Sequence, residues 1–185
     1  GINTAPNKNT LSLSPLISLK IFVPPSHRGS GRRKSAKKTH LQERKNLTQP
    51  ALSMSQAKTL TPAEIQHMLD YIATRQFPLR NRVMFLTGLW SGMRVGEIAS
   101  LSLGDVRNAD GTIKSEVRLT AEQTKGRQPR TVFLPQKLRD ELAQYLSPRG
   151  QLPDSHPLFV TAGRKSFSAN VMAQHFHYLF KRAGI

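Results

Sequence analysis

The stretch TGLWSGMRVGEIASLSLGDV, residues 87–106, decides how the rest of the chain is read. An apolar helix runs into Gly92, Arg94 stands just past that glycine, and Glu97 follows three residues later. An arginine so placed can cap the carbonyls of the helix ending near Gly92, or it can face a ligand. Taken alone, Arg94 does not choose between the two.

Upstream, the signals are those of packed helices. Thr61-Pro62-Ala63-Glu64 offers an N-cap, a proline at the first helical position and a capping-box glutamate. Ile65, Met68, Leu69 and Ile72 then recur at helical spacing, one apolar face turned to a core. A second helix is predicted from about Pro78 through Val83, Met84, Leu86 and Trp90, stopping at Gly92, and a short third from Arg94 to Leu101.

Downstream, Asp110-Gly111 marks a tight turn. SEVRLTAEQTKGRQPRTVFLP, residues 115–135, is β-branched on both arms around a polar middle, which predicts a hairpin turning near Lys125-Gly126-Arg127. A helix follows from Gln136 with Leu138, Leu142, Tyr145 and Leu146 on one face. Residues 148–157 read as a loop and Leu158-Phe159-Val160 as a short extended piece. The last helix takes Ser168 as its N-cap, with Val171, Met172, Phe176, Leu179 and Phe180 inward. Helices, then a small antiparallel sheet, then helices make an α+β fold with no internal repeat.

Charge divides the chain in two. Across 185 residues, 28 Lys and Arg face 11 Asp and Glu, a formal net charge of +17. Residues 1–58 are basic, rich in Asn, Ser, Thr and Pro, and without sustained apolar periodicity, so they are expected to be a disordered N-terminal segment. Residues 59–185 carry the orderly pattern. His27 to His40, HRGSGRRKSAKKTH, would suit a DNA-binding arm or equally sequence upstream of a start at Met54.

Such a balance favours a polyanionic partner, because phosphate contacts release counterions and give affinity independent of sequence. A structural protein of ribosomal type would share that charge. The absence of cysteine excludes disulfides, thiolate zinc sites and cysteine nucleophiles. No apolar run approaches the roughly 18 residues that span a bilayer, so no membrane partner is expected. Gly88 to Gly92 lacks the Lys-Ser/Thr ending of a phosphate-binding loop, so no nucleotide cofactor is expected. His175 and His177, two apart on a helix, point to different faces and do not suggest a metal site.

The spacing of residues 91–106 resembles the first catalytic box of the tyrosine recombinases, the phage integrase-like enzymes. The matching positions are Ser91, Gly92, Arg94, Glu97, Leu101, Asp105 and Val106. The hairpin adds Thr124, Lys125, Gly126, Arg130 and the strand 131–135, which resemble the segment where that family carries its catalytic lysine. The resemblance covers about two thirds of the chain. It implies cleavage and rejoining of double-stranded DNA through a phosphotyrosine, without cofactor, by a DNA-associated cytoplasmic protein that self-associates on DNA at full length.

On that resemblance, Arg94 holds the scissile phosphate, Lys125 is the general acid and Glu97 supports Arg94. Arg127 and Arg130 are expected as DNA contacts. A planar guanidinium suits Arg94's role, since it binds both non-bridging oxygens and never loses its proton. The family's H-x-x-R box is not found between Pro135 and Ile185. Tyr178 precedes the place where that box belongs and is read as a helix-surface or half-buried packing residue, and Tyr71 and Tyr145 as core-facing. The expectation is therefore a catalytic-domain fragment without its nucleophile, inactive as given. A DNA-binding protein that never cleaves is the alternative.

Overall fold

The structure, a computed structural model, describes residues 59–185. The basic segment 1–58 lies outside the described residues. Helix α1 (Pro62–Ala73) starts as its sequence predicts: Thr61 Oγ1 accepts from the Glu64 N–H at 3.2 Å, and Glu64 Oε2 accepts from the Thr61 N–H at 2.8 Å. Met68 and Ile72 are fully buried beneath it.

Helix α2 (Pro78–Ser91) is the centre of the core. Val83, Met84, Phe85, Leu86 and Leu89 are buried along it, and it packs against α1 on one side. It ends because Gly92 adopts φ +66°, a left-handed conformation that costs glycine no Cβ clash.

The short helix expected over residues 94–101 is present, with Arg94 and Leu101 as its caps, and a turn that the sequence reading did not set out follows it. Helix α3 (Val95–Ser100) stops, Leu101 is extended, and a separate turn, α4 (Leu103–Val106), follows. Tertiary partners replace the helical bonds here. Leu101 O accepts from Leu158 N at 2.8 Å, Leu103 N donates to His156 O at 2.9 Å, and Ser102 N donates to Asp105 Oδ2 at 2.8 Å.

Strands β1 (Glu116–Leu119) and β2 (Arg130–Phe133) form the antiparallel hairpin, with Glu116 opposite Phe133 and Leu119 opposite Arg130. Its connection, residues 120–129, is longer than a tight turn at Lys125–Arg127. Side chains fold it locally: Gln123 Oε1 accepts from Thr120 N at 2.9 Å, and the buried Thr124 hydroxyl donates to Gln128 O at 2.8 Å. Helix α5 (Gln136–Leu146) buries Leu138, Leu142 and Tyr145 and packs against α2, where Arg82 reaches Glu141 through two bonds of 2.8 and 2.5 Å.

Helix α6 (Ala169–Ala183) has Ser168 as its N-cap, with Ser168 Oγ accepting from Val171 N at 3.2 Å. Met172, Phe176 and Leu179 are buried, and Phe180 meets Phe85 edge-on at 6.1 Å. Val171, expected inward, is 44% exposed. It sits about 100° around the helix from Met172, and Met172 is the residue that takes the core position. Helix α6 lies against both α1 and α3. The α+β architecture with one two-stranded sheet is as the sequence reads.

One polar cluster under α6 has no counterpart in the sequence reading. Arg80 is buried and donates to Val160 O at 2.8 Å and to Asn81 Oδ1 at 2.8 and 3.1 Å. His175 Nε2 sits 3.1 Å from the same Asn81 oxygen. Burial, and then the Arg80 guanidinium beside it, pull the His175 imidazole down to about 4 from its ordinary 6.5. The folded state therefore refuses a proton that the unfolded chain accepts. Stability from this group is present above pH 6.5 and lost as pH falls towards 4, by about 3 kcal/mol at most. Urea titrations at pH 7 and pH 5 should show this loss in the wild type and a smaller one in His175→Gln. An equal loss in both would exclude His175 as its source.

Candidate active site

Arg94 is the N-cap of α3, two residues past the left-handed Gly92. The backbone at Arg94 is extended (φ −71°, ψ 153°), and its side chain is 62% exposed. Glu97, 1% exposed, sits below it. Its Oε2 accepts from the Arg94 N–H at 2.7 Å and its Oε1 from the Arg94 guanidinium at 3.2 Å. One carboxylate thus caps the helix and holds the arginine.

The same carboxylate holds the hairpin. Arg130, on the first residue of β2, donates to Glu97 through Nη2 at 2.6 Å and Nε at 3.3 Å. Burial pushes the Glu97 carboxyl up, but hydrogen bonds from Arg130 and from the Arg94 backbone, with the two positive charges, outweigh it and keep Glu97 below the usual carboxylate range. A second carboxylate of the box acts in parallel. Asp105 Oδ2 accepts from Ser102 N and Oγ at 2.8 and 2.9 Å and from Gln123 Nε2 at 3.1 Å. Gln123 precedes Lys125 by two residues, so the lysine loop is fastened to the box on both sides.

Between these fastenings lies a cleft of about 530 Å³ lined by Arg94, Thr124, Lys125, Gly126, Gln128, Pro129 and Arg130. Two segments about thirty residues apart in sequence meet in it, and no acidic side chain is on its lining. Lys125 makes no ion pair among the described residues. Arg127 is exposed beside it, with φ +50°. Among the described residues its guanidinium makes no ion pair, whereas that of Arg130 is engaged with Glu97.

A family model for the phage integrase family matches residues 58–185. The chain belongs to this family of tyrosine recombinases. As a phage integrase family member it is similar to the tyrosine recombinase XerA of Pyrococcus furiosus, with 30% identity over 125 residues covering 68% of this chain and 40% of that one. XerA of Thermococcus kodakarensis is 29% identical over 143 residues, 77% of this chain and 46% of the relative. Among solved structures, a crystal structure of XerA recombinase superposes with a TM-score of 0.55 at 26% identity, covering 76% of this chain and 47% of that one. The chain spans less than half the length of these relatives.

None of the family member's three tyrosines lines the cleft. Tyr145 is buried and donates to Leu158 O at 3.2 Å, Tyr71 packs half-buried against the core, and Tyr178 is 58% exposed on α6. The described residues contain no group of three His, Cys, Asp or Glu able to hold a metal. Among the described residues no helix is long and apolar enough to cross a membrane. Gln123 and the pairing partner of Arg130 escaped the sequence reading. Asp105 was visible there as a motif position, but nothing in the sequence joins it to Gln123.

Proposed function

We propose that this chain supplies the phosphate-binding and acid-donating half of a site-specific recombinase that cuts and rejoins double-stranded DNA. The observation that carries the reading is the meeting of Arg94 and Lys125 in one cleft whose lining has no acid. Attack on a phosphodiester concentrates negative charge on two non-bridging oxygens, and the exposed fork of Arg94 is suited to both. Lys125, on a loop fastened at Gln123 and Arg130, is the general acid for the departing 5′-oxygen. Glu97 fixes Arg94 from beneath, and Arg127 meets the DNA backbone. The nucleophilic tyrosine is none of Tyr71, Tyr145 and Tyr178 and comes from outside these residues, as does any further charge on the phosphate. Residues 59–185 form the catalytic portion and residues 1–58 a basic appendage. Self-association on DNA and a cytoplasmic, DNA-associated setting belong to the same reading.

The test is binding and cleavage of duplex DNA by the 185-residue chain. Affinity should fall steeply with salt, because each phosphate neutralised contributes about 0.9 to the slope of log K against log salt. No covalent protein–DNA adduct should form. Affinity indifferent to salt would refute phosphate-driven binding, and an adduct on Tyr178 would refute the assignment of the nucleophile.

A further inference from the structure

Arg130 has a dual position: it lines the cleft, yet its guanidinium lies two-pronged on a carboxylate that is 1% exposed. A phosphate contact needs donors facing solvent. Here the Nε and Nη2 donors are turned down onto Glu97, whose two oxygens are shared with Arg94. If Arg94 alone neutralised Glu97, its charge would be spent on that buried acid. With Arg130 present, the three groups carry two positive charges and one negative, and the excess sits on the exposed member, Arg94.

Position in the chain reinforces this. Arg130 opens β2 five residues after Lys125, while Gln123 holds Asp105 two residues before it. Both contacts cross from the lysine hairpin to a carboxylate of the arginine box. Resting on the strand-transfer reading above, we propose that Arg130 is a positioning residue that docks the lysine hairpin on the arginine box through Glu97 and leaves Arg94 free for phosphate. Its side chain acts through the protein and makes no contact with DNA. Geometry favours arginine here, because a lysine ammonium cannot bond both Glu97 oxygens in one plane.

The experiment uses the 185-residue chain and a labelled DNA duplex. Arg127→Ala should lower the salt slope by about 0.9, the value for one lost phosphate. Arg130→Ala should lower it too, because Arg94 is then drawn onto Glu97, whereas Glu97→Gln/Arg130→Ala, which leaves no acid to claim Arg94, should keep the wild-type slope. In the DNA-free protein, ¹³C NMR of the Glu97 carboxyl should show its titration moving upward in Arg130→Ala, and less so in Arg130→Lys. The double variant also leaves no stranded buried carboxylate, so the slope stays measurable should Arg130→Ala fold poorly. A slope lowered by about 0.9 in the double variant would overturn the proposal, as would an unmoved Glu97 titration. If the wild-type chain bound no DNA, the functional reading would fall while the Glu97 titration still decided whether Arg130 holds that carboxylate.

Discussion

Replacing Arg94 by alanine is expected to slow strand cleavage by roughly three to five orders of magnitude in a cleavage-competent recombinase carrying this chain, the range seen when a guanidinium is withdrawn from a reacting phosphate. Affinity for the duplex should hardly change. Charge on phosphorus is greatest in the five-coordinate transition state, and an exposed fork that binds both oxygens contributes most there. Ground-state binding is shared among many basic residues. The substitution should also cost little stability. Glu97 keeps two bonds from Arg130 and one from the backbone N–H of residue 94, so no buried carboxylate is stranded, and what is lost is a single 3.2 Å bond from a side chain that is 62% exposed. Arg94→Lys should be nearly as slow as Arg94→Ala, since one ammonium cannot bridge two oxygens. Single-turnover cleavage and thermal unfolding of the same preparations check both halves. Cleavage lost in proportion to folding would mean that Arg94 is only a helix cap.

Lys125→Ala should cost about 10² to 10⁴ in the same assay, the usual return on a positioned general acid. Its diagnostic is the substrate. With sulfur in place of the bridging 5′-oxygen, the leaving thiolate needs no proton, so Lys125→Ala should cleave sulfur-substituted DNA at close to the wild-type rate. The same substrate should not rescue Arg94→Ala, because charge on the non-bridging oxygens still develops. Equal damage by Lys125→Ala on both substrates would reduce the lysine to a groove contact. The loop around Lys125 is tied at Thr124, Gln123 and Arg130, so its ammonium is delivered from a held backbone.

The local signals that the sequence displays survived folding. Thr61 and Ser168 cap the helices they were expected to cap, and Gly92 stops α2 by adopting a positive φ. The apolar spacing of residues 65–72 and 138–145 faces the core. Deviations came where a distant segment intervened. The separate turn α4 was not read, because the backbone around it bonds to residues 154–158, about fifty residues away. Arg80 and Asn81 look like surface residues in a periodic pattern, but satisfy each other, Val160 and His175 in the interior. At the site, Arg94, Glu97 and Lys125 were legible because the spacing of the box and of the hairpin is local. That the box and hairpin share Glu97 and Asp105 was not, because the pairs Glu97–Arg130 and Asp105–Gln123 join segments whose separation no local pattern encodes.

The placement of α6 bears on how the protein is made. Gly96 of the box lies so close to α6 that a Cβ there would stand 3.4 Å from that of Ala169, and the far end of α6 offers Ala183 O to His67 of α1 at 2.8 Å. A ribosome releases α1, α2 and the box long before α6. Throughout that interval the apolar flank of α2 that will receive Phe180 has no cover, which makes it a target for chaperones and for aggregation. The arginine box likewise lacks the helix against which it is set, so the nascent chain has its cationic residues but not their fixed geometry. Docking of α6 is therefore also the moment at which the arginine box of a loosely sticky polycation takes its fixed geometry.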